Sequence, residues 1–402
     1  MKTKITNISK IYTWNPDINQ LDVISNKDIL ISDGKIVDIS SKINNFDNTI
    51  DAQNCIITPG FIDSHTHPIF VGNRSKEFIL RLNGASYQEI EKMGGGINSS
   101  ILNLRNASDE ELLISSKNNL IPFIENGTTT VEAKSGYGQT VKDEIRSLEV
   151  INKLNEELDI DIIPTFLGAH TLPPEYSDKK DDYVNLVCDE MIPEISERKL
   201  AKFCDVFCEE GYFDVFDSEK IFNTAKEHGL VPRVHADEFV YSGAAELASK
   251  IGAVSADHLM AINDKGLKSL SDSNVVATLL PGTTFFLNIK KYANGRELIE
   301  HNIRVALASD FNPGTCTIRS LANIMLLSIL HCGLTIEEAF LGVTYNAACA
   351  LQLENKVGLI KENFNADMIF WNIDDISEIP YWFDSSTAKI NKVVKKGRVV
   401  EF

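Results

Sequence analysis

Two histidines one residue apart end an apolar run, in Pro59-Gly60-Phe61-Ile62-Asp63-Ser64-His65-Thr66-His67. Residues two apart on a strand share a face, so His65 and His67 can aim two imidazoles at one point, as metal ligation requires. A bare His-x-His is weak on its own; its place at the end of a predicted strand gives it weight. His235 ends VPRVHADE and Asp310 ends IRVALASD, two further β-like runs. Together these four make a set of three nitrogens and one oxygen that suits one divalent metal, zinc or iron, with positions left open for water. Such an ion brings the pKa of water down towards about 7 and polarises a carbonyl under attack. Asp310, or Glu238 three residues beyond His235, can take the water proton and pass it to a leaving nitrogen. The chemistry implied is amide hydrolysis. His258, ending AVSADHL, is read either as a fifth ligand or as a hydrogen-bond donor to the substrate carbonyl, against the plainer reading of a satisfied core histidine. For Glu238 the plainer reading is a solvated loop carboxylate. His228, His301 and His331 sit in helical contexts and are given no function.

These residues need a scaffold that brings separate strand ends together. Between about Pro59 and Glu354 the chain repeats a short apolar β-run followed by a charged stretch with helical periodicity. The β-runs are CIITPGFIDSHTH, TTTVEAKSG, IDIIPTFLGAH, CDVFCEE, LVPRVHADE, AVSADHL, VVATLLPG and IRVALASDFN. Continuous Val/Ile/Leu runs suit parallel strands buried on both faces. Eight such units predict a (β/α)₈ TIM-type barrel, whose active site lies at the C-terminal ends of the strands, where these residues fall. Both chain ends read differently. KDILISDGKIVDIS, with an Asp33-Gly34 turn, and KINKVVKKGRVVEF are strand-like with turn punctuation, and predict a small composite β-sandwich domain. The expected division is residues 1–57 and 356–402 for that domain and 58–355 for the barrel.

With 402 residues, 43% of them hydrophobic and 24% charged, the chain has an ordinary globular composition. A net charge of -18 disfavours nucleic acid and anionic membranes, so an anionic substrate needs a local positive site. Seven irregularly spaced cysteines, none in a Cys-x-x-Cys pair, read as reduced thiols. The absence of a signal-peptide pattern and of any long apolar run points to the cytoplasm and away from membranes. Base rates favour a homodimer.

The segments PGFIDSHTHPIFVGNRSKEF, RLNGASYQEI with GGGI, EAKSGYG, GAHTLPPEY, VHADEF, SADHL and ASDFNPGT, which span most of the barrel, resemble the amidohydrolase superfamily. The likeness is to a branch that opens the cyclic amide of 4-imidazolone-5-propanoate, giving N-formimidoyl-L-glutamate in histidine degradation. It implies metal ligands at His65, His67, His235 and Asp310, and Glu238 with His258 as the acid/base and carbonyl-polarising pair. It also implies substrate contacts at Arg74, Tyr87, Tyr137, His170, Glu238, Asn312, Gly314 and Thr315. Arg74 offers a planar charged fork for the propionate, and Tyr137 another hydrogen bond. On its own residues Arg74 reads as a surface arginine, Tyr137 between two glycines as an exposed loop residue, and DFNPGT as a Pro-Gly turn; with that substrate, the Asn312 and Gly314 N–H groups would come close to a bound anionic oxygen. Related subgroups bridge two metals through a carboxylated lysine, a role Lys134 would fill; the resemblance is to a one-metal branch. Another cyclic amidase or deaminase of the superfamily, acting on a different heterocycle, is the alternative.

Overall fold

The computed structural model describes residues 1–84, 95–383 and 386–401. Eight parallel strands make one sheet in chain order: Phe61–Asp63, Thr128–Lys134, Asp161–Ala169, Phe203–Cys208, Val231–Ala236, Ser255–His258, Val276–Leu279 and Val305–Leu307. Each lies within one of the eight nominated β-runs except the fourth, which begins one residue earlier, at Phe203. Every residue of Thr128–Lys134 and of Phe203–Cys208 is buried, as expected of strands covered by helices outside and by packed side chains within. The sheet closes just beyond the first and eighth strands. There Thr66 bridges Phe311 in parallel, the Asp310 N–H donates to the His65 carbonyl (3.0 Å), and the His67 N–H donates to the Phe311 carbonyl (2.8 Å). The seam that completes the barrel therefore carries three of the four predicted metal ligands.

The helices that cover the strands are locally specified. Val141–Glu157 buries Ile145, Leu148, Ile151 and Leu154, one apolar stripe facing inward. Ser108 with Glu111, and Asp214 with Asp217, close capping boxes at the starts of Asp109–Glu125 and Val215–Glu227. Each box satisfies amide groups that the first helical turn leaves unpaired.

The two chain ends build one sandwich. A four-stranded sheet runs in the order Lys35–Ser40, Asp28–Ser32, Lys2–Thr6, Asn48–Asp51. A six-stranded sheet runs Arg398–Val399, Ile390–Lys395, Met368–Trp371, Ile56–Pro59, Lys10–Asn15, Gln20–Ser25. Met368–Trp371 pairs antiparallel with Ile56–Pro59, so residues from opposite ends of the chain are neighbours in one sheet. Strand alternation explains why both strands are wholly buried. Ile11, Ile57, Phe370 and Val394 pack into the sandwich interior, while Tyr12, Ile56, Ile369, Trp371 and Val393 pack with the barrel core. The Asp33-Gly34 turn is present, with φ of 52° and 77°, the left-handed values that a tight hairpin needs. Ile56–Pro59 leads through Gly60 directly into the first barrel strand. A Cβ at position 60 would meet the Thr129 side chain at 2.2 Å, so only glycine fits this junction.

Candidate active site

At the C-terminal mouth of the barrel, four of the predicted residues converge in buried positions. His65 and His67 face each other with their Nε2 atoms 3.3 Å apart. Asp310 Oδ1 lies 3.5 Å from the first of these atoms and 3.3 Å from the second. The His235 ring is centred 4.5 Å from that of His65 and 5.4 Å from that of His67. His258 stands 5.6 Å from His65 and 5.3 Å from His235, centre to centre. Among the described residues, potential ligand atoms lie within 4.8 Å of one another in the groups His65–His67–Asp310, His65–His235–His258 and His65–Asp205–Asp257. His65 is common to all three and sits at the centre. His258 and Asp310 have positive φ, 79° and 52°, an uncommon backbone state for side chains other than glycine.

Beneath these histidines lies a network of buried charges. Asp257 Oδ2 accepts hydrogen bonds from His65 Nδ1 (2.7 Å) and from Arg233 Nη2 (3.2 Å). Asp205 Oδ1 lies 3.1 Å from His235 Nδ1, and Asp205 Oδ2 accepts from Lys134 Nζ at 2.8 Å. Lys134 also donates to Glu132 Oε1 (2.6 Å), and Glu132 Oε2 in turn accepts from the Thr66 N–H, between the two histidines of the first strand. None of these five charged side chains is exposed. An ionised carboxylate only accepts hydrogen bonds, so each histidine with such a partner carries its proton on Nδ1 and presents a bare Nε2. Lys134 is wholly engaged by Glu132 and Asp205.

The electrostatics suit a cation. Burial, then Lys134 and the neighbouring imidazoles, hold His65 well below the ordinary histidine range. Burial and His235 do the same to His67, and burial brings His258 down to about 3. Burial alone would raise Asp205, but His235 and Lys134 outweigh it and hold its carboxyl well below the usual carboxylate range. The result is a cluster of neutral imidazoles beside carboxylates. Among the described residues, His67 Nδ1 and His258 Nε2 are buried with no hydrogen-bond partner, a costly state for a polar atom. Convergent donor atoms, neutral rings and orphaned nitrogens together fit metal binding.

Above the cluster opens a cavity of about 1250 Å³. Its walls include Arg74, Arg81, Tyr137, His170, Phe207, Tyr212, Glu238, Asn312 and Thr315. Glu238 Oε1 is 3.6 Å from His258 Nδ1. Burial, then Asp310 and Glu209, push the Glu238 carboxyl well above the usual range, which suits a group that must hold and release a proton. The loop carrying it is gathered by Glu209, whose carboxylate accepts from the N–H groups of Glu238 (3.0 Å), Phe239 (3.0 Å) and Val240 (3.2 Å). The His170 ring stacks on that of His67, centres 5.1 Å apart and planes 21° apart. Arg74 lies against Gly314 so closely that a Cβ there would come within 2.0 Å of the guanidinium, and Arg81 Nη2 donates to the Gly314 carbonyl (3.1 Å).

Three sequence expectations need correction or fall outside the description. Tyr137 is only 3% exposed, because its loop folds inward against the third strand. The Asn312 N–H donates to the Cys316 carbonyl at 2.8 Å and the Gly314 N–H to Asn312 Oδ1 at 2.9 Å, so they shape the loop in place of facing an anion. Tyr87 lies outside the described residues.

Barrel, sandwich and ligand cluster define a hydrolase of the metal-dependent amidohydrolase class, and the model of the amidohydrolase family matches residues 56–400. Solved structures share the fold: guanine deaminase from C. acetobutylicum superposes with a TM-score of 0.75 at 18% identity, covering 100% of both chains. For 5-methylcytosine deaminase from Klebsiella pneumoniae the TM-score is 0.76 at 16% identity, covering 99% of this chain and 98% of that one. Curated relatives are nearer in sequence. The imidazolonepropionase of Kosmotoga olearia is 44% identical over 98% of each chain, and that of Thermoanaerobacter pseudethanolicus is 42% identical over 97% of this chain and 96% of its own. The chain belongs to the imidazolonepropionase family within the amidohydrolases.

Sequence reasoning overlooked Glu132, Asp205, Arg233 and Asp257, and with them Glu144 and Glu209. A signal existed for the first four, since each is a charge embedded in an otherwise buried strand: TTTVEAK, FCDVFC, VPRVHA and SADH. Buried charges demand partners, so four of them on strands of one barrel imply one another. Among the described residues no helix is long and apolar enough to cross a membrane, and all seven cysteines are buried free thiols.

Proposed function

We propose that the protein hydrolyses the ring amide of 4-imidazolone-5-propanoate to N-formimidoyl-L-glutamate, a step in histidine degradation. The observation that carries this reading is identity of 42–44% to imidazolonepropionases over 97–98% of this chain. His65, His67, His235 and Asp310 are the residues we assign to hold one zinc or iron ion, with His258 beside them. Such an ion supplies positive charge that activates water and polarises the carbonyl.

The protein's own groups do the rest. Glu238 takes a proton from the attacking water, holds it on its buried carboxyl and delivers it to the ring nitrogen as the C–N bond breaks. The carbonyl carbon gains the water oxygen and becomes a carboxylate, and the departing nitrogen becomes part of the formimidoyl amidine. His258, whose Nε2 has no protein partner, donates a hydrogen bond to the carbonyl oxygen. Arg74 pairs with the propionate, with Tyr137, His170, Asn312 and Thr315 lining the ring's surroundings. Gly314 contributes by admitting the Arg74 guanidinium. Free thiols throughout favour a reducing, cytoplasmic setting.

The direct test follows the loss of imidazolonepropionate absorbance on adding purified protein, with and without a chelator, and assays formimidoyl-glutamate. Chelator-sensitive conversion is expected. No turnover by protein shown to be metal-loaded would move the substrate to another heterocycle.

A further inference from the structure

Glu144 stands in the first turn of the helix Val141–Glu157, wholly buried, and it reaches no part of the cavity described above. Its carboxylate turns back on the preceding loop. Oε2 accepts from the Gly136 N–H at 3.0 Å, and Oε1 accepts from the N–H groups of Gly138 and Gln139 at 2.8 and 2.7 Å. Three backbone donors on one ionisable side chain make a charge-assisted clasp that fixes the loop in a single conformation.

The loop is built to accept that clasp. Gly136 has φ of 113°, and a Cβ on it would meet the Leu167 carbonyl at 2.9 Å and His170 Nδ1 at 3.0 Å. A Cβ on Gly138 would meet the Asp143 carbonyl carbon at 2.5 Å and the Glu144 nitrogen at 2.7 Å. Both glycines are therefore needed for the loop to lie between the helix and the third strand.

On its other side the same loop sets two cavity residues. The Gly136 carbonyl accepts from His170 Nδ1 at 3.1 Å, which puts the ring proton on Nδ1 and leaves Nε2 as the atom available to a ligand. Tyr137, between the two clasped glycines, is carried into the wall of the cavity, with its ring centre 5.3 Å from that of His170 and 6.2 Å from that of His67.

We infer that Glu144 is a positioning residue for substrate recognition: by clasping the 136–139 backbone it fixes Tyr137 and the His170 tautomer in the geometry that receives the imidazolone. This rests on the reaction proposed above. Glu144 touches neither the substrate nor the metal ligands; its influence passes through the backbone.

The test is steady-state kinetics of Glu144→Gln on metal-loaded protein with imidazolonepropionate. The amide oxygen can replace Oε1, but its NH₂ group then faces the Gly136 N–H, so the bond lost is the one that anchors Gly136, whose carbonyl sets His170. KM is expected to rise about tenfold, the scale of one charge-assisted hydrogen bond, with kcat changed less than about threefold and metal content unchanged. In a Tyr137→Phe, His170→Asn background the same substitution should change KM by less than about twofold, because the groups it positions are gone. Glu144→Asp, which keeps the charge, should give a smaller KM increase than Glu144→Gln, and serves if the latter does not fold. An unchanged KM in both single variants, a fall in kcat alone, or full additivity with the double background overturns the role. Wild-type protein is the control: its failure to turn over imidazolonepropionate overturns the reaction itself, whereas wild-type turnover with unaltered variants overturns only the positioning.

Discussion

At the floor of the barrel mouth His65 and His235 stand on strands and are oriented by the buried carboxylates Asp257 and Asp205, which are themselves tied to Arg233 and Lys134. At the rim Tyr137 and Glu238 ride on loops, and there the carboxylates of Glu144 and Glu209 grip backbone N–H groups. The floor thus fixes side chains through side chains across the barrel strands, while the rim fixes loop backbone and lets the side chains project into the cavity. The difference teaches where a barrel hydrolase can vary. The floor carries charges whose loss leaves a partner unpaired in a dry interior, so its members are interdependent. Each rim loop is a separate unit, replaceable with its own clasp, and it is at such loops that a shared metal chemistry acquires its substrate.

The comparison can be broken at three points. Glu238→Gln on the rim should cost the most turnover, a fall in kcat of about 10²- to 10⁴-fold, with bound metal undiminished by elemental analysis. If the metal is lost as well, Glu238 belongs to the floor. Asp257→Asn in the floor should act through the ion, weakening metal affinity about 10- to 100-fold in competition with a chelator. Affinity equal to that of the parent protein would mean that the buried ion pairs maintain the fold alone. Arg74→Ala should have the smallest effect, an increase in KM of about tenfold for the propionate-bearing substrate and little for a tail-less imidazolone. Equal increases for both would place the tail elsewhere on the rim.

The barrel was legible because its physics is local and repetitive: each β-run is continuously apolar, and each ends where chemistry-bearing residues begin. His65, His67, His235 and Asp310 could be named from their places at strand ends, since a barrel sends all such ends to one face. Tyr137 was read as exposed because two flanking glycines usually mark a surface turn. Here they admit close approach to His170 and to the start of a helix. Glu144 and Glu209 left no pattern at all. They look like any helix or loop carboxylate until the chain brings backbone donors 5 to 31 positions away in sequence onto their oxygens.

By itself, then, the sequence determined the strand count, the composite sandwich and which residues converge as candidate ligands, all of which follow from periodicity and from residue types at element ends. Tertiary structure alone decided which nitrogen each histidine presents, that Gly314 serves by admitting Arg74, and which carboxylates hold the loops. Those outcomes depend on distances of about 3 Å between groups far apart in the chain, and hydrogen-bond geometry at that range is set by packing and not by spacing along the sequence.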